Sequence, residues 1–406
     1  MSLIYTFLIR YYGVLLQVAS WFHPKAKAWV LGRQQWETKL RAQIPVDRKV
    51  LWFHCASLGE FDQGLPLMKS MKEEDPNLFL LVSFFSPSGM EHYQKREPMV
   101  DAACYLPLDT LHNARTFVQI VQPVKAVFVK YEFWPNFLRA LAEKDIETIA
   151  VSAIFRPKQI YFRWYGGFFR KVLKQFDHFF VQNSKSKELL NTININCVTV
   201  AGDSRFDRVI DNKIKITPET KLEQFAPNRN AFIIGSSWPN DESILLPIIN
   251  ELKEKVIIAP HNVDEKHVNA IIEKITRKHV LFSKSTLEEI ANSEVLILDT
   301  IGHLSNAYSY GKIAYVGGGF SGNLHNILEP AAFGLPVIFG PKHERFPEAE
   351  NFINGGFGFS IRTINELKKA FKFIMHNYTE ISSKEVTFVK ENTGATDRIF
   401  NFIHSN

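Results

Sequence analysis

A short continuous apolar run followed by a stretch of helical spacing recurs along the whole chain, and this pattern constrains the fold most. VLWFHC (50–55), LFLLVSFF (78–85), KAVFVKY (125–131), ETIAVSA (147–153), HFFVQ (178–182) and CVTVAG (197–202) form one series. AFIIGS (231–236), VIIAP (256–260), HVLF (279–282), VLILDT (295–300), IAYVGG (313–318) and PVIFG (336–340) form a second. Strands that are apolar throughout and separated by helices belong to parallel sheets covered on both faces. The stretch 211–230 between the two series is polar and carries two prolines, so it is expected to be a linker. A length of 406 residues agrees with two cores rather than one. The expected architecture is α/β: an apolar segment 1–24, a doubly wound domain 25–210, the linker 211–230 and a second doubly wound domain 231–406. The last helix of the second domain is free to pack back on the first. Ligands of such sheets bind beyond the carboxyl ends of the strands, in a two-domain protein in the cleft that the domains face.

Composition narrows the function. A hydrophobic fraction of 46% and a charged fraction of 22% exclude extensive disorder. A net charge of +6 favours anionic partners. Cys55, Cys104 and Cys197 are odd in number and lack CxxC spacing, which points to a reducing compartment and away from disulfides or a zinc site. With no HExxH and no acidic cluster in the loops, neither metal nor cofactor is expected.

The segment LIYTFLIRYYGVLLQVASWF (3–22) is almost wholly apolar and precedes Lys25, Lys27, Arg33, Lys39 and Arg41. Arg10 inside it would cost roughly 2.5–3.5 kcal/mol at a bilayer centre. A helix lying in the interface lets Arg10 reach water and sets Tyr5, Tyr11, Tyr12 and Trp21 at headgroup depth. Anchoring to a membrane surface is the expectation, with packing on the protein itself as the alternative. The run 155–176 mixes Arg156, Lys158, Arg163, Arg170, Lys171 and Lys174 with aromatics. Such a run can stack on nucleic acid, lie on an anionic membrane or cover a Phe-rich core. The apolar N-terminus makes the membrane reading more economical, and no recognised nucleic-acid motif accompanies the charge.

Several strand ends carry candidate chemistry. HCASLGEFDQG (54–64) puts Glu60 just after the first strand. The residues alone leave open whether it reacts or only interacts with the dipole of the following helix. KYEFWPN (130–136) delivers Lys130 and Glu132 to a second loop of the same domain, and VAGDSRFD (200–207) places Arg205 after the sixth strand. Arg205 suits a phosphate bidentately or a surface ion pair. In the second half, YVGGGFSGNLHNILEPAAFGLPVIFGP (315–341) ends a strand in three glycines, with a helix expected near His325–Asn326. Glycines allow close backbone approach to a ligand, helix-start N–H groups attract phosphate, and Glu329 suits ribose hydroxyls. GSSWPNDE (235–242), APHNVDE (259–265) and DTIGHL (299–304) lie at comparable strand ends, which makes a nucleotide pocket plausible. Ser236 and Ser237 read equally well as helix caps.

These pieces, in this order, resemble the 3-deoxy-manno-octulosonic acid (Kdo) transferases of lipopolysaccharide synthesis. HCASLGE is similar to that family's H-x-x-S-V-G-E, KYEFWPN to E-T-E-L-W-P-N, GSSWPNDE to G-S-T-H-x-G-E-E, and PHNVDE to P-R-H-P-E-R. GGGFSGNLHNILEPAAFGLPVIFGP resembles G-G-S-L-V-x-x-G-G-H-N-P-L-E-P-A-A-x-G-x-P-V-x-x-G-P. The resemblance runs from the apolar N-terminus to roughly residue 355. It implies a GT-B fold of two Rossmann-like domains. It also implies inverting transfer of Kdo from CMP-Kdo to the lipid A precursor, at the cytoplasmic face of the bacterial inner membrane. Glu60 falls on the family's general base. Arg205 stands where the family has a Lys that neutralises the leaving CMP phosphate. Pro260, His261, Ile301, Gly302, His303, Asn326, Ile327, Leu328 and Glu329 fall on CMP-contacting positions, with Ser236, Ser237 and His325 beside them.

Three positions depart from the pattern. Lys130 replaces the first Glu of E-T-E-L-W-P-N, a position assigned to transition-state stabilisation. His261 replaces the Arg of P-R-H, and the loop before His325 is one residue shorter. The competing expectations are a nucleotide-sugar 2-epimerase, which shares the GT-B architecture, and a non-catalytic membrane-bound CMP-sugar binder.

Overall fold

The computed structural model describes residues 2–93 and 100–405. It divides into two compact units, Met1–Arg208 with Thr393–Asn406, and Val209–Asn392.

The first unit is built on strands β1 (Val50–Cys55), β2 (Phe79–Phe84), β3 (Ala102–Tyr105), β4 (Lys125–Val129), β5 (Glu147–Ala153), β6 (His178–Val181) and β7 (Val198–Val200). They form a parallel sheet in the order β3-β2-β1-β4-β5-β6-β7. Strand β1 pairs with β2 on one side and β4 on the other, so the strand order reverses beside it. Every residue of β1 is buried because helices cover both faces. Val50 and Trp52 pack with Phe117, Phe128 and Phe137 on one face, and Leu51, Phe53 and Cys55 with Phe61 and Met68 on the other.

The basic-aromatic run 155–176 is divided: some of its apolar residues reach the core, and Arg156, Lys158, Arg163, Lys171 and Lys174 are exposed. Phe155 and Phe176 are buried against Phe133 and Phe179, with ring centroids 5.0–6.2 Å apart, while Trp164 and Tyr165 face outward. The last helix, Ala395–Ser405, inserts Ile399 and Ile403 into the cluster behind β1. Asp207 fixes its start, accepting from the N–H and hydroxyl of Thr396, each at 2.7 Å. The helix Ser2–Ala19 is tied down by the Tyr5 hydroxyl, which donates to Asp109 at 2.6 Å, yet it leaves Phe7, Leu8, Leu15 and Val18 exposed. Among the described residues no helix is long and apolar enough to cross a membrane.

The second unit carries β8 (Ala231–Ser237), β9 (Val256–Pro260), β10 (His279–Leu281), β11 (Val295–Ile297), β12 (Gly311–Val316), β13 (Val337–Phe339) and β14 (Gly358–Ser360). The order β10-β11-β9-β8-β12-β13-β14 differs from that of the first sheet in that β11 lies between β9 and β10, but its first strand, β8, is again central, with β9 on one side and β12 on the other. The polar stretch 211–230 holds the end of the helix Ser204–Ile214 and a further helix, Thr220–Phe225. Leu222 and Phe225 of that second helix are fully buried beside Ala231, Ile233 and Tyr310.

Candidate functional site

In the first unit the candidate residues follow the two central strands, where the strand order reverses and ligands of open α/β sheets bind. Ser57 caps the helix Leu58–Glu74, and Glu60, three residues on, reaches back to accept from the Ser57 N–H at 2.9 Å. This reciprocal capping satisfies helix-start donors and fixes the carboxylate. The dipole role and the strand-end position therefore coexist in one residue. Glu60 is buried, and burial pushes its pKa up against the opposing pull of Lys130 and the N–H groups of Ser57 and Ala56.

From the next strand, β4, come Lys130 and Glu132. Lys130 has a left-handed φ of 70° and donates its N–H to Val151 O at 2.8 Å, which turns the chain sharply out of the sheet. Burial and then the nearby Glu60 charge raise the Glu132 carboxyl to about 7, against Lys130. A buried pair of carboxyls beside one ammonium is an arrangement in which a proton moves near neutral pH.

A network below this cluster holds the two loops together. Trp134 Nε1 donates to His54 Nε2 at 3.0 Å, leaving His54 Nδ1 to donate to Ser83 Oγ at 2.9 Å. Trp52 Nε1 donates to the same hydroxyl at 2.8 Å. Burial lowers the pKa of His54 to about 3, so the ring stays neutral and positions the loops.

Arg205 opens the helix Ser204–Ile214. Its Nε and one terminal nitrogen donate to Asp203 Oδ2 at 2.9 and 2.6 Å, so the guanidinium is held in an ion pair. Ser204 anchors this helix start by donating to Gln63 O at 2.7 Å, on the helix that carries Glu60.

The second unit gathers its candidates after β8, β9, β11 and β12. Ser236 and Ser237 do not cap the following helix, Pro239–Ile249; Trp238 occupies the N-cap position. Ser236 instead turns the chain with φ 53°, and the buried Ser237 hydroxyl donates to Glu242 Oε1 at 2.9 Å. Asp241, fully buried, is the keystone. It accepts from Trp238 N–H and Gly318 N–H, both at 2.9 Å, and from the Tyr315 hydroxyl at 2.8 Å. One carboxylate thus joins the β8 loop to the glycine loop after β12.

The glycine triplet packs against the chain itself. A Cβ on Gly317 would lie 2.1 Å from Ser236 O, one on Gly318 2.1 Å from Asn323 O, and one on Gly319 2.5 Å from Gly340 N. These glycines are required by contact with the protein's own backbone. The helix after them is Leu328–Ala332 and starts later than expected. Asn326 Oδ1 accepts from Leu328 N–H at 3.1 Å, and its amide donates to Glu329 Oε1 at 3.2 Å. Ser305 Oγ also donates to Glu329, at 3.3 Å, so the loops near 303 and 326 share this carboxylate. Pro260, Ile327 and Leu328 are buried, whereas Ile301 and Gly302 stand open.

An aromatic stack sits among these loops. Trp238 and His261 lie face to face with centroids 4.0 Å apart, and Trp238 Nε1 donates to His325 Nε2 at 3.1 Å. Burial lowers the pKa of both His261 and His325, and for His325 the neighbouring His261 adds to it. Two uncharged rings beside an indole offer a flat surface for a base or sugar. The signal for Trp238 in the sequence is its place in GSSWPNDE, directly after the central strand β8. Among the described residues no three His, Cys, Asp or Glu side chains gather as a metal site.

Residues 33–208 match the family model described as 3-deoxy-D-manno-octulosonic-acid transferase (kdotransferase). A 3-deoxy-D-manno-octulosonic acid transferase of Aquifex aeolicus is 28% identical over 345 residues, covering 82% of this chain and 88% of the relative. One from Rickettsia felis is 27% identical over 315 residues, covering 75% of this chain and 66% of the relative, so the match spans just under two thirds of that protein. Among solved structures, a UDP-GlcNAc 2-epimerase from Neisseria meningitidis bound to UDP-GlcNAc superposes with a TM-score of 0.63 at 14% identity, covering 88% of this chain and 100% of that one. A likeness at that identity speaks to the fold, the two-unit GT-B architecture.

Proposed function

We propose that this chain, which matches the 3-deoxy-D-manno-octulosonic-acid transferase model over residues 33–208 and is 28% identical to such a transferase of Aquifex aeolicus, is a glycosyltransferase moving Kdo from CMP-Kdo to a hydroxyl of the lipid A precursor. The observation that carries this reading is Glu60, a buried carboxylate after central strand β1 whose pKa is raised by burial beside Lys130. A carboxylate whose pKa is raised is a stronger base than a free one. Its carboxylate takes the proton of the acceptor hydroxyl as that oxygen bonds to the anomeric carbon of Kdo. The bond from that carbon to the CMP phosphate breaks on the opposite face, and its electron pair leaves with the phosphate, giving inversion. Arg205, oriented by Asp203, meets the charge on the departing phosphate. Lys130 holds negative charge beside the base, on the Kdo carboxylate or the acceptor phosphate.

In the second unit the Trp238–His261–His325 stack and the loops at 301–303 and 325–329 take the nucleotide, with Glu329 on the ribose hydroxyls. The charge is handled by side chains, and the reaction is proposed to run without metal. The exposed apolar face of Ser2–Ala19, followed by Trp21 at 75% and Phe22 at 83% exposure, supports a helix lying in the membrane interface on the cytoplasmic side. Purified protein incubated with CMP-Kdo and tetraacylated lipid A precursor in the presence of a chelator tests the proposal. The lipid is expected to gain Kdo mass and CMP to appear; release of free sugar without lipid mass gain would refute it.

A further inference from the structure

Glu219 lies in the stretch expected to be a bare linker, at the N-cap position of the helix Thr220–Phe225. A residue at that position ordinarily turns its side chain onto its own helix. Glu219 makes no such capping bond. Its carboxylate points instead at the loop after β11: Oε1 meets His303 Nδ1 at 2.6 Å, and Oε2 accepts from the Asn306 amide at 3.2 Å. Its own N–H donates to the Tyr310 hydroxyl at 3.1 Å, which fixes the backbone from which the side chain reaches.

The rest of that loop is held in the same way. His303 rests on the Phe282 ring with centroids 4.4 Å apart, and Lys221 of the Glu219 helix bonds Phe282 O at 2.6 Å. At the other end Asp299 accepts from Ser283 N–H at 2.9 Å. Between these anchors Ile301 is 85% exposed and Gly302, with φ 106°, has nothing within 4 Å of where a Cβ would stand. With Nδ1 committed to Glu219, the half-buried His303 ring has Nε2 without a partner among the described residues. The loop is therefore rigid at its ends and open at its tip, with one ring nitrogen left over.

We infer that Glu219 is a positioning residue of the nucleotide site: it fixes the His303 ring so that Nε2, the ring's acceptor, takes a hydrogen bond from a ribose hydroxyl of the CMP moiety. This rests on the donor-site reading above and deepens it. A ring donating one N–H to a carboxylate is locked in tautomer and orientation, which is how an outer residue tunes an inner one. Asn306, sharing the carboxylate, keeps it from rotating away.

The test is a double-mutant cycle read by calorimetric titration of the full chain with CMP. Glu219→Ala and His303→Ala are each expected to raise Kd about 5–10-fold, the scale of one hydrogen bond. In the double variant the loss should equal that of His303→Ala alone, because Glu219 acts through the ring. Glu219→Gln, whose carbonyl still accepts from Nδ1, should recover most of the affinity, which a merely structural role would not predict. Full affinity in Glu219→Ala, or losses that multiply in the double variant, would overturn the inference while leaving the donor site standing. No CMP binding by the unsubstituted chain would overturn the donor-site reading, and the inference with it.

Discussion

Asp241→Ala removes the acceptor that joins the two loops flanking the centre of the second sheet. Three donors lose their partner: Gly318 N–H, the Tyr315 hydroxyl and Trp238 N–H. The first two are buried, and a buried donor without a partner costs about 1–3 kcal/mol. Trp238 N–H is reached more easily by water and adds less. The expected loss is about 3–5 kcal/mol in the stability of this unit, a large value of the kind that breaking a buried network produces. Asp241→Asn keeps an oxygen for both N–H groups and can donate to the Tyr315 oxygen, so it forfeits charge assistance alone, about 1–2 kcal/mol. Urea unfolding gives the stabilities, and CMP titration gives the consequence for the site. The alanine variant should weaken CMP by at least ~30-fold and the asparagine variant by less than ~10-fold, at about 1.4 kcal/mol per tenfold. Equal stability and affinity in Asp241→Ala and the unsubstituted protein would refute the joining role.

The buried Glu385 has both carboxyl oxygens without a hydrogen-bond partner among the described residues, and burial holds its pKa well above the usual range. Glu385→Met should raise stability by about 1–3 kcal/mol in urea unfolding at neutral pH. A folded-state pKa above the unfolded value means that stability falls as pH rises past the unfolded value near 4.3, and the variant should lose this slope; a less stable variant would contradict the reading. Glu132, at about 7, contributes stability that is full below its unfolded value and lost as pH rises through 7. Glu60→Gln removes a charge that helps to raise Glu132, so the pKa of the Glu132 carboxyl followed by NMR should fall, and an unchanged value would count against the pairing. Deleting residues 2–23 should abolish flotation with vesicles of anionic phospholipid, and undiminished flotation would place the membrane contact elsewhere.

Long apolar strands were legible because burial on both faces leaves an unbroken hydrophobic run, as in β1 and β8. β3 and β14 escaped because they are short edge strands, of four and three residues, with no such run. The Thr220–Phe225 helix was hidden by polar neighbours, although Leu222 and Phe225 fill the core. The candidate residues after β1, β4, β8 and β12 were visible as charged or polar groups at strand ends. The meaning of the glycines was not: Gly317, Gly318 and Gly319 mark close contact, but only coordinates reveal that the contacting atoms are the chain's own. Asp241 and Glu219 were unreadable for a related reason, since their partners lie 77 and 84 residues away.

The most direct test of the central claim compares the unsubstituted protein with Glu60→Gln, using CMP-Kdo and the lipid acceptor. Glutamine can still accept from Ser57 N–H, so the helix start is preserved. The account predicts a fall in kcat of about 10²–10⁴, the usual contribution of a general base, with CMP affinity unchanged. A Glu60→Gln variant that transfers Kdo at the unsubstituted rate would show that the buried carboxylate caps its helix and does nothing more.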